Sequence, residues 1–354
     1  MNKERSQSDN VTIFDVAKEA GVSYSTVSRV INNQKYVKQA TRDKVAVAMK
    51  KLGYVANLKA RSLAGGRLQV IGALIYDLNT DYVVEIMKGI DEEVSVIDYD
   101  MIIATTHKRK LKEANYVAKL TRGLVDGLLI VLPNNLEAYI QDLSRQKFPY
   151  VLIDHEGMGT ISTSLKATNY HGVQEAILYL LELGHKRIGF ITGNLAIASG
   201  QERFNAYKDT LIEQEVGINP DLICESDFTA EDAYLKTKGL LALPQPPTAI
   251  FASCDDAAFG VMDAIREAEL RIPQDISVIG FDNIPKASLM TPPLTTVQQP
   301  LVHMGRVATR MLIDQIENPE HPAEQVEVET KLILRDSCQP PYESRFWVEP
   351  TPTL

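Results

Sequence analysis

The chain has 354 residues, 45% of them hydrophobic and 23% charged, which suits a small domain plus a larger buried core and excludes a disordered chain. Cys224, Cys254 and Cys338 are too few, too scattered and odd in number for a disulfide framework. Residues 1–10 are polar, so no signal peptide is evident, and no apolar run approaches the roughly 20 residues that span a bilayer, which predicts a cytoplasmic protein without membrane contact.

The first informative stretch is 12–32, TIFDVAKEAGVSYSTVSRVIN. Ile13, Val16, Ala17 and Ala20 recur at helical spacing and give a short helix one apolar face. Gly21 supplies a tight turn, and Ser23 is placed to cap a second helix whose inner face is Val27, Val30 and Ile31. Its outer face is Tyr24, Ser25, Ser28, Arg29 and Asn32, all able to hydrogen-bond. Two short helices around a glycine turn, the second polar and basic outside, predict a helix-turn-helix, which lays its second helix in the major groove of DNA. Thr41 is read as the cap of a third helix over 42–52, with Val45, Ala48, Met49 and Leu52 inward and Gly53 at its end. An ordinary helical hairpin with a solvated face would show the same spacing. Charge favours the first reading. Residues 1–67 hold 13 Lys+Arg against 5 Asp+Glu, a net of +8, while the remainder holds 24 against 41, a net of −17. A basic head suits phosphates, and an acidic body is repelled by them.

Residues 57–66, NLKARSLAGG, open on a good helix cap and close on glycines, but a helix this short is marginal alone in water. From Leu68 the chain alternates short apolar runs with amphipathic stretches. Segments 70–75, 101–104, 127–131, 151–153, 188–192, 249–251 and 278–280 read as buried parallel strands, and 85–96, 173–183 and 259–269 as helices. This alternation predicts an α/β core with helices on both sheet faces. Ligands of open α/β sheets bind outside the carboxyl ends of the strands, where Asp77, Asp154, Arg203, Asp255 and Asp282 fall. A guanidinium fork facing carboxylates can clamp the hydroxyls of one sugar ring. The competing reading of these acids is as helix caps and loop ion pairs.

The runs VTIFDVAKEAGVSYSTVSRVINN, VKQATRDKVAVAMKKLGYVAN and KARSLAGG, followed by ELGHKRIGFITG, PTAIFASCDD, IPQDISVIGFDN, PPLTTVQQP and ILRDS, together carry a specific pattern. They resemble the lac-repressor/purine-repressor (LacI/GalR) family of bacterial transcriptional regulators over almost the whole chain, to about Ser337. The resemblance implies an all-α helix-turn-helix headpiece at 1–56 and a hinge helix with linker at 57–67. A bilobed, periplasmic-binding-protein-like α/β core of two doubly wound parallel-sheet lobes follows at 68–338, and a tail at 339–354. Lobe one is expected at about 68–156 and 280–298, and lobe two at about 157–279 and 299–338. The last strand is placed at 326–334, and the chain crosses between lobes three times.

The same resemblance implies DNA contacts from Thr12, Ser23, Tyr24, Ser25, Thr26, Ser28, Arg29, Asn32, Thr41, Asn57 and Ala60. Leu63 matches a leucine that wedges into the minor groove; a flexible tether is the other reading of this segment. For a small-molecule effector between the lobes, Ser199 and Arg203 match an "S…R" helix start, Asp255 an "ANDxxA" turn, and Asp282 a "GxDD" strand end. Tyr82 and Phe228 match aromatic positions over the ligand, Gln299 a polar position near a crossover, and Asp77 and Asp154 complete the set. Three departures keep the effector's identity from being copied: Cys254 replaces a common asparagine, Asn283 the second acid of "GxDD", and Ala206 a common glycine.

Four carboxylates facing one arginine disfavour a phosphate-bearing effector and favour a neutral sugar or polyol. A nucleobase, or a protein corepressor such as a His-containing phosphocarrier, is the alternative. The chain carries no HExxH, no P-loop, no GxSxG and no GxGxxG after a strand, and its six histidines lack metal-ligand spacing. Asp255 and Asp256 are neighbours at a helix start and diverge too far for an acid–base dyad, and His185 reads as structural. No enzyme, cofactor or metal is therefore expected. A solute-binding protein would need an export signal and no headpiece. The expectation is a repressor that binds a palindromic double-stranded operator as a homodimer. Four prolines and no heptad after Cys338 exclude a tetramerising coiled coil and predict a loose tail.

Overall fold

The computed structural model describes residues 11–31, 36–54, 67–107, 109–157 and 162–341. Asn32, Asn57, Ala60 and Leu63, with the expected hinge helix and the tail from 342 onward, lie outside these residues.

The headpiece is three helices, α1 (Ile13–Ala20), α2 (Tyr24–Ile31) and α3 (Gln39–Leu52). A reciprocal capping box starts α1: Thr12 accepts from the Asp15 amide while the Asp15 carboxylate accepts from the Thr12 amide. Gly21 ends α1 in the left-handed region at φ 65°, a conformation that costs glycine nothing. Ser23 accepts from the Thr26 amide at 3.2 Å and so caps α2. The expected cap at Thr41 is corrected. Helix α3 begins at Gln39, and the Lys38 carbonyl accepts from the Thr41 and Arg42 amides. Gln39 and Ala40 are good helix formers, so the helix extends back through them and places Thr41 inside its first turn. Val16, Ala17, Val27, Val45 and Ala48 form the small buried centre.

The core opens with β1 (Val70–Ile75), α4 (Asp81–Val96), β2 (Asp100–Thr105), α5 (Lys110–Leu120), β3 (Gly127–Val131), α6 (Ile140–Arg145), β4 (Tyr150–Ile153) and β5 (Ser164–Ala167). It continues through α7 (Asn169–Glu182), β6 (Ile188–Ile191), α8 (Ala198–Glu213), β7 (Ile223–Cys224), α9 (Ala230–Leu241), β8 (Ala249–Ala252), α10 (Asp255–Glu267), β9 (Ser277–Asp282) and β10 (Thr295–Gln298). Helix α11 (Leu301–Glu317), β11 (Gln325–Val328) and β12 (Lys331–Ile333) complete it. Two six-stranded sheets result, ordered β11-β5-β4-β3-β1-β2 and β12-β10-β9-β8-β6-β7. Every pairing is parallel except β10 with β12. Strands β1, β3, β4, β6 and β8 are buried along their whole length, which explains their unbroken apolar sequence. Among the described residues, no helix is long and apolar enough to cross a membrane.

The sheets correct the expected lobe boundaries. Strand β5 belongs to the first sheet, whereas β9 and β10 both belong to the second. The return to lobe one is α11 followed by β11. The single strand expected over 326–334 is two strands, one in each sheet, with the crossing at residues 329–330 between them. Thr330 donates its amide to the Thr168 hydroxyl at 2.9 Å, which ties this crossing to the one after β5.

Within each sheet, five strands repeat one doubly wound order: β2-β1-β3-β4-β5 and β7-β6-β8-β9-β10. The order reverses between β1 and β3 in one lobe and between β6 and β8 in the other. At such reversals the loops diverge and leave a crevice for ligand.

Candidate nucleic-acid interface and ligand cleft

On the headpiece, Tyr24, Ser25 and Arg29 are exposed along α2, while Val27 is buried behind them. The Ser23 hydroxyl lies 2.8 Å from both the Ser25 and Thr26 hydroxyls, so these groups form one local network. Phe14 stacks on Tyr24 with ring centroids 4.9 Å apart and planes at 17°. Phe14 escaped the sequence reading, although an outward aromatic beside a polar helix face is itself a signal. Its ring limits the rotamers open to Tyr24 and presents it in one direction. Thr12 is exposed but is engaged with Asp15, and Ser28 and Thr41 are half-buried.

The core cleft lies at both switch points. An inner cavity of about 170 Å3 is lined from lobe one by Tyr76, Thr80, Tyr82, Leu132 and Asp154. Lobe two contributes Asn194, Ile197, Ser199, Arg203, Asp227, Phe228, Thr229, Cys254, Asp256 and Asp282. Past Tyr76, Leu132, Asp154, Asn194 and Ile197 it meets an outer cavity of about 350 Å3, bordered by Asn134, Asn135, Glu137 and His155. A cavity of about 150 Å3 holds one benzene ring, so the inner chamber is sized for a single ring.

Arg203 enters from the first turns of α8 and is 3% exposed. Its Nε donates to the Asn169 side-chain oxygen at 2.9 Å, and Nη1 donates to the Ser253 carbonyl. The guanidinium lies 3.9 Å from the centre of the Phe281 ring and 3.9 Å from the Asp282 carboxylate. Held from three sides, its fork cannot swing away, and the Asp282 contact is loose enough for a ligand atom to bridge it. Asp282 in turn accepts from Gln299 Nε2 at 2.7 Å. Gln299 is 3% exposed and does not line the cavity; it acts through Asp282.

Four wall residues, Leu132, Asp154, Phe228 and Asp282, have φ of 52°, 58°, 68° and 114°. Such values are unfavourable for side chains like Leu and Phe, and their concentration at one cleft marks a functional constraint. Gly193 has a related role. A Cβ there would fall 1.8–2.4 Å from the Phe228 ring atoms, so only glycine lets that ring cover the cavity.

Burial governs the electrostatics. It pushes the Asp282 carboxyl up to about 7, against the opposing pull of Arg203 and the Gln299 hydrogen bond. Burial also raises Asp154, again opposed by Arg203, and drives the Tyr82 hydroxyl well above its ordinary value, with Asp154 and Asp282 adding to the effect. Asp256 is raised by burial and by Asp81. The Cys254 thiol is raised well above its usual range by burial and Asp282, so it is a neutral wall group. Its sulfur accepts from the Ala257 amide at 3.3 Å and caps α10.

Six of the eight expected effector residues (Tyr82, Asp154, Arg203, Phe228, Asp282 and, indirectly, Gln299) thus converge. Two do not. Asp77 accepts from the Leu78 and Asn79 amides at 2.7 and 3.2 Å, a loop-closing turn, and Tyr76 lines the cavity instead. Asp255 is fully buried, accepting from the Ile284 amide at 2.8 Å and from the Thr296 hydroxyl, and its neighbour Asp256 takes the place in the wall. Asn283, where the sequence departs from the expected acid, accepts from Arg335 Nη2 at 2.6 Å, and it does not line the cavity. The sequence reading missed Tyr76, Asn194, Asp227 and Asp256 as wall residues. Tyr76 directly follows an expected strand, and Asp256 adjoins an expected site residue.

A helix-turn-helix ahead of two doubly wound lobes with a cleft at both switch points is the architecture of a bacterial regulatory protein. Residues 12–57 match the family described as bacterial regulatory proteins, lacI family, and residues 177–338 match the periplasmic binding protein-like domain. The HTH-type transcriptional repressor PurR of Proteus mirabilis is 35% identical over 330 residues, covering 92% of this chain and 96% of that protein. The lac repressor dimer bound to operator and the anti-inducer ONPF has a TM-score of 0.81 at 28% identity, covering 94% of this chain and all of that one. The complex of transcriptional regulator CelR with cellobiose has a TM-score of 0.69 at 28% identity, covering 92% and 99%. The chain belongs to the LacI family and is a DNA-binding transcriptional repressor, not an enzyme.

Proposed function

We propose that this repressor binds a palindromic operator as a homodimer in the cytoplasm, and that a carbohydrate-like effector between its lobes sets operator affinity. On the headpiece, Tyr24, Ser25 and Arg29 read base edges, Arg29 being suited to a bidentate contact with guanine. Leu63 of the hinge enters the minor groove. Support for the dimer comes from the operator-bound lac repressor, itself a dimer, and from the two-fold symmetry that a palindrome requires.

One observation carries the effector reading: a one-ring chamber whose walls come from both lobes and combine a fixed guanidinium and acids with the Phe228 and Tyr82 rings. Carboxylates and a guanidinium satisfy ring hydroxyls, and an aromatic face covers the C–H side of the sugar. A ligand gripping Tyr82 and Asp154 on one lobe and Arg203 and Asp282 on the other has a different affinity for each interlobe angle, which is the requirement for control. The cellobiose complex of CelR supports the same class. A flat nucleobase is the second reading, favoured by the aromatic walls at Tyr76, Tyr82 and Phe228. A thermal-shift screen of the full-length protein against monosaccharides and nucleobases separates them. Stabilisation by a sugar is expected, and stabilisation by nucleobases alone would replace the first reading with the second.

A further inference from the structure

The cleft carries more acid than ring hydroxyls require. Asp154, Asp256 and Asp282 line the inner chamber with one cation in its wall, Arg203, whose Nε and Nη1 are engaged by Asn169 and Ser253 and whose Nη2 is left for ligand. Asp227, also in the wall, is exposed and closes its own turn onto Thr229. Asp154 is 6% exposed and lines both chambers; its Oδ1 has no hydrogen bond of normal geometry, and the nearest polar group to its carboxylate is the buried Tyr82 hydroxyl, which interacts with it. Among the described residues Asp154 forms no ion pair, since Arg203 reaches Asp282 instead. A buried carboxylate whose neighbour is only a neutral hydroxyl still bears the cost of an unpaired charge, and a donor carrying positive charge offsets it. The Tyr76, Tyr82 and Phe228 rings bound the same space, and aromatic faces attract organic cations.

We propose that the effector is a polyhydroxylated ring bearing an ammonium group, an amino sugar, with its nitrogen seated against Asp154 and its hydroxyls on Arg203 and Asp282. This rests on the reading of the cleft as a carbohydrate site and refines the neutral ligand expected from sequence to a cationic one. The ammonium donates to Asp154 Oδ1 and the Tyr82 oxygen. The ring stays small enough for the inner chamber, and its remaining substituents face the outer one.

The test uses matched ligands on the full-length protein at pH 7: glucosamine, galactosamine and mannosamine, each against its parent sugar and its N-acetyl derivative, by calorimetry and thermal shift. In at least one set the free amine is expected to bind roughly tenfold tighter than both neutral counterparts. Asp154→Asn keeps the shape and removes the charge, so the amine and its parent sugar should then bind alike; an unchanged melting midpoint without ligand shows that the variant folds. A parent sugar that binds as tightly as its amine in every set overturns the proposal and leaves the carbohydrate reading standing. An amine advantage that survives in Asp154→Asn also overturns it. Silence from the entire panel overturns both.

Discussion

The headpiece and the core use charge in opposite ways. The head is held together by five buried residues and displays its basic excess on exposed side chains such as Arg29. The core carries the acidic excess overall but places its functional charges inside, with Arg203 and Asp282 3% and 5% exposed. Exposed charge acts at a distance and is weakened by salt, whereas buried charge acts by contact and by what desolvation costs. One end of the chain can therefore find a polyanion quickly, while the other, on the proposed reading, discriminates among small ligands by the hydrogen bonds they complete.

Ionic strength should pull the two ends apart most strongly. A dimer neutralising six or more phosphates should lose about 1000-fold or more in operator affinity between roughly 50 and 200 mM salt. Ligand affinity of the cleft should change far less over the same range, because buried groups are poorly screened. Parallel losses in a paired titration would remove the distinction.

A buried titration inside lobe two gives the next largest effect. His185 is 1% exposed, lies 2.9 Å from both the Thr248 hydroxyl and the Gln339 carbonyl, and is lowered by burial from 6.5 to about 4. The unfolded chain takes up this proton first as pH falls, so the stabilisation is complete above pH 6.5 and is lost as pH drops towards 4. The loss should approach about 3 kcal/mol, and His185→Gln should flatten that part of the profile in denaturant titrations. An identical slope in both proteins would place the burial effect elsewhere.

Arg29→Ala should cost about 1–3 kcal/mol of discrimination at one operator position, read by binding-site selection, with effector affinity of the core unchanged. An unchanged site preference would remove Arg29 from base reading. Smaller still, Thr12→Ala breaks the capping box and should cost the headpiece about 1 kcal/mol without moving the melting of the core. A matching shift in the core would mean the two units unfold together.

What the sequence made legible follows the same division. On the headpiece, local periodicity sufficed for the faces of α2, because Tyr24, Ser25 and Arg29 are exposed for the same reason that Val27 is buried, but not for the start of α3 or for the Phe14–Tyr24 stack. In the core, acids at strand ends were legible as a group, but which way each turned was not. Asp255 is captured by Ile284 and Thr296, 29 and 41 residues away, and no local pattern reports that. Asp77, by contrast, closes its own loop through the next two amides, a role its sequence shares with cleft acids. The crossings were misplaced because strand membership depends on pairing: β9 and β10 pair with each other, and β5 pairs with β4 and β11.

Coupling between the two ends is the central claim. The direct measurement is operator affinity of the full-length protein with and without the tightest ligand from the sugar panel, for wild type and for Arg203→Ala. The wild type should change operator affinity by about tenfold or more in the presence of ligand. Arg203→Ala should bind operator normally, lose roughly 1.5–3 kcal/mol of ligand affinity, and so need about ten- to a hundredfold more ligand for a half-maximal response. A variant whose response midpoint matches that of the wild type, or a wild type whose operator affinity ignores a ligand bound in the cleft, would contradict the account.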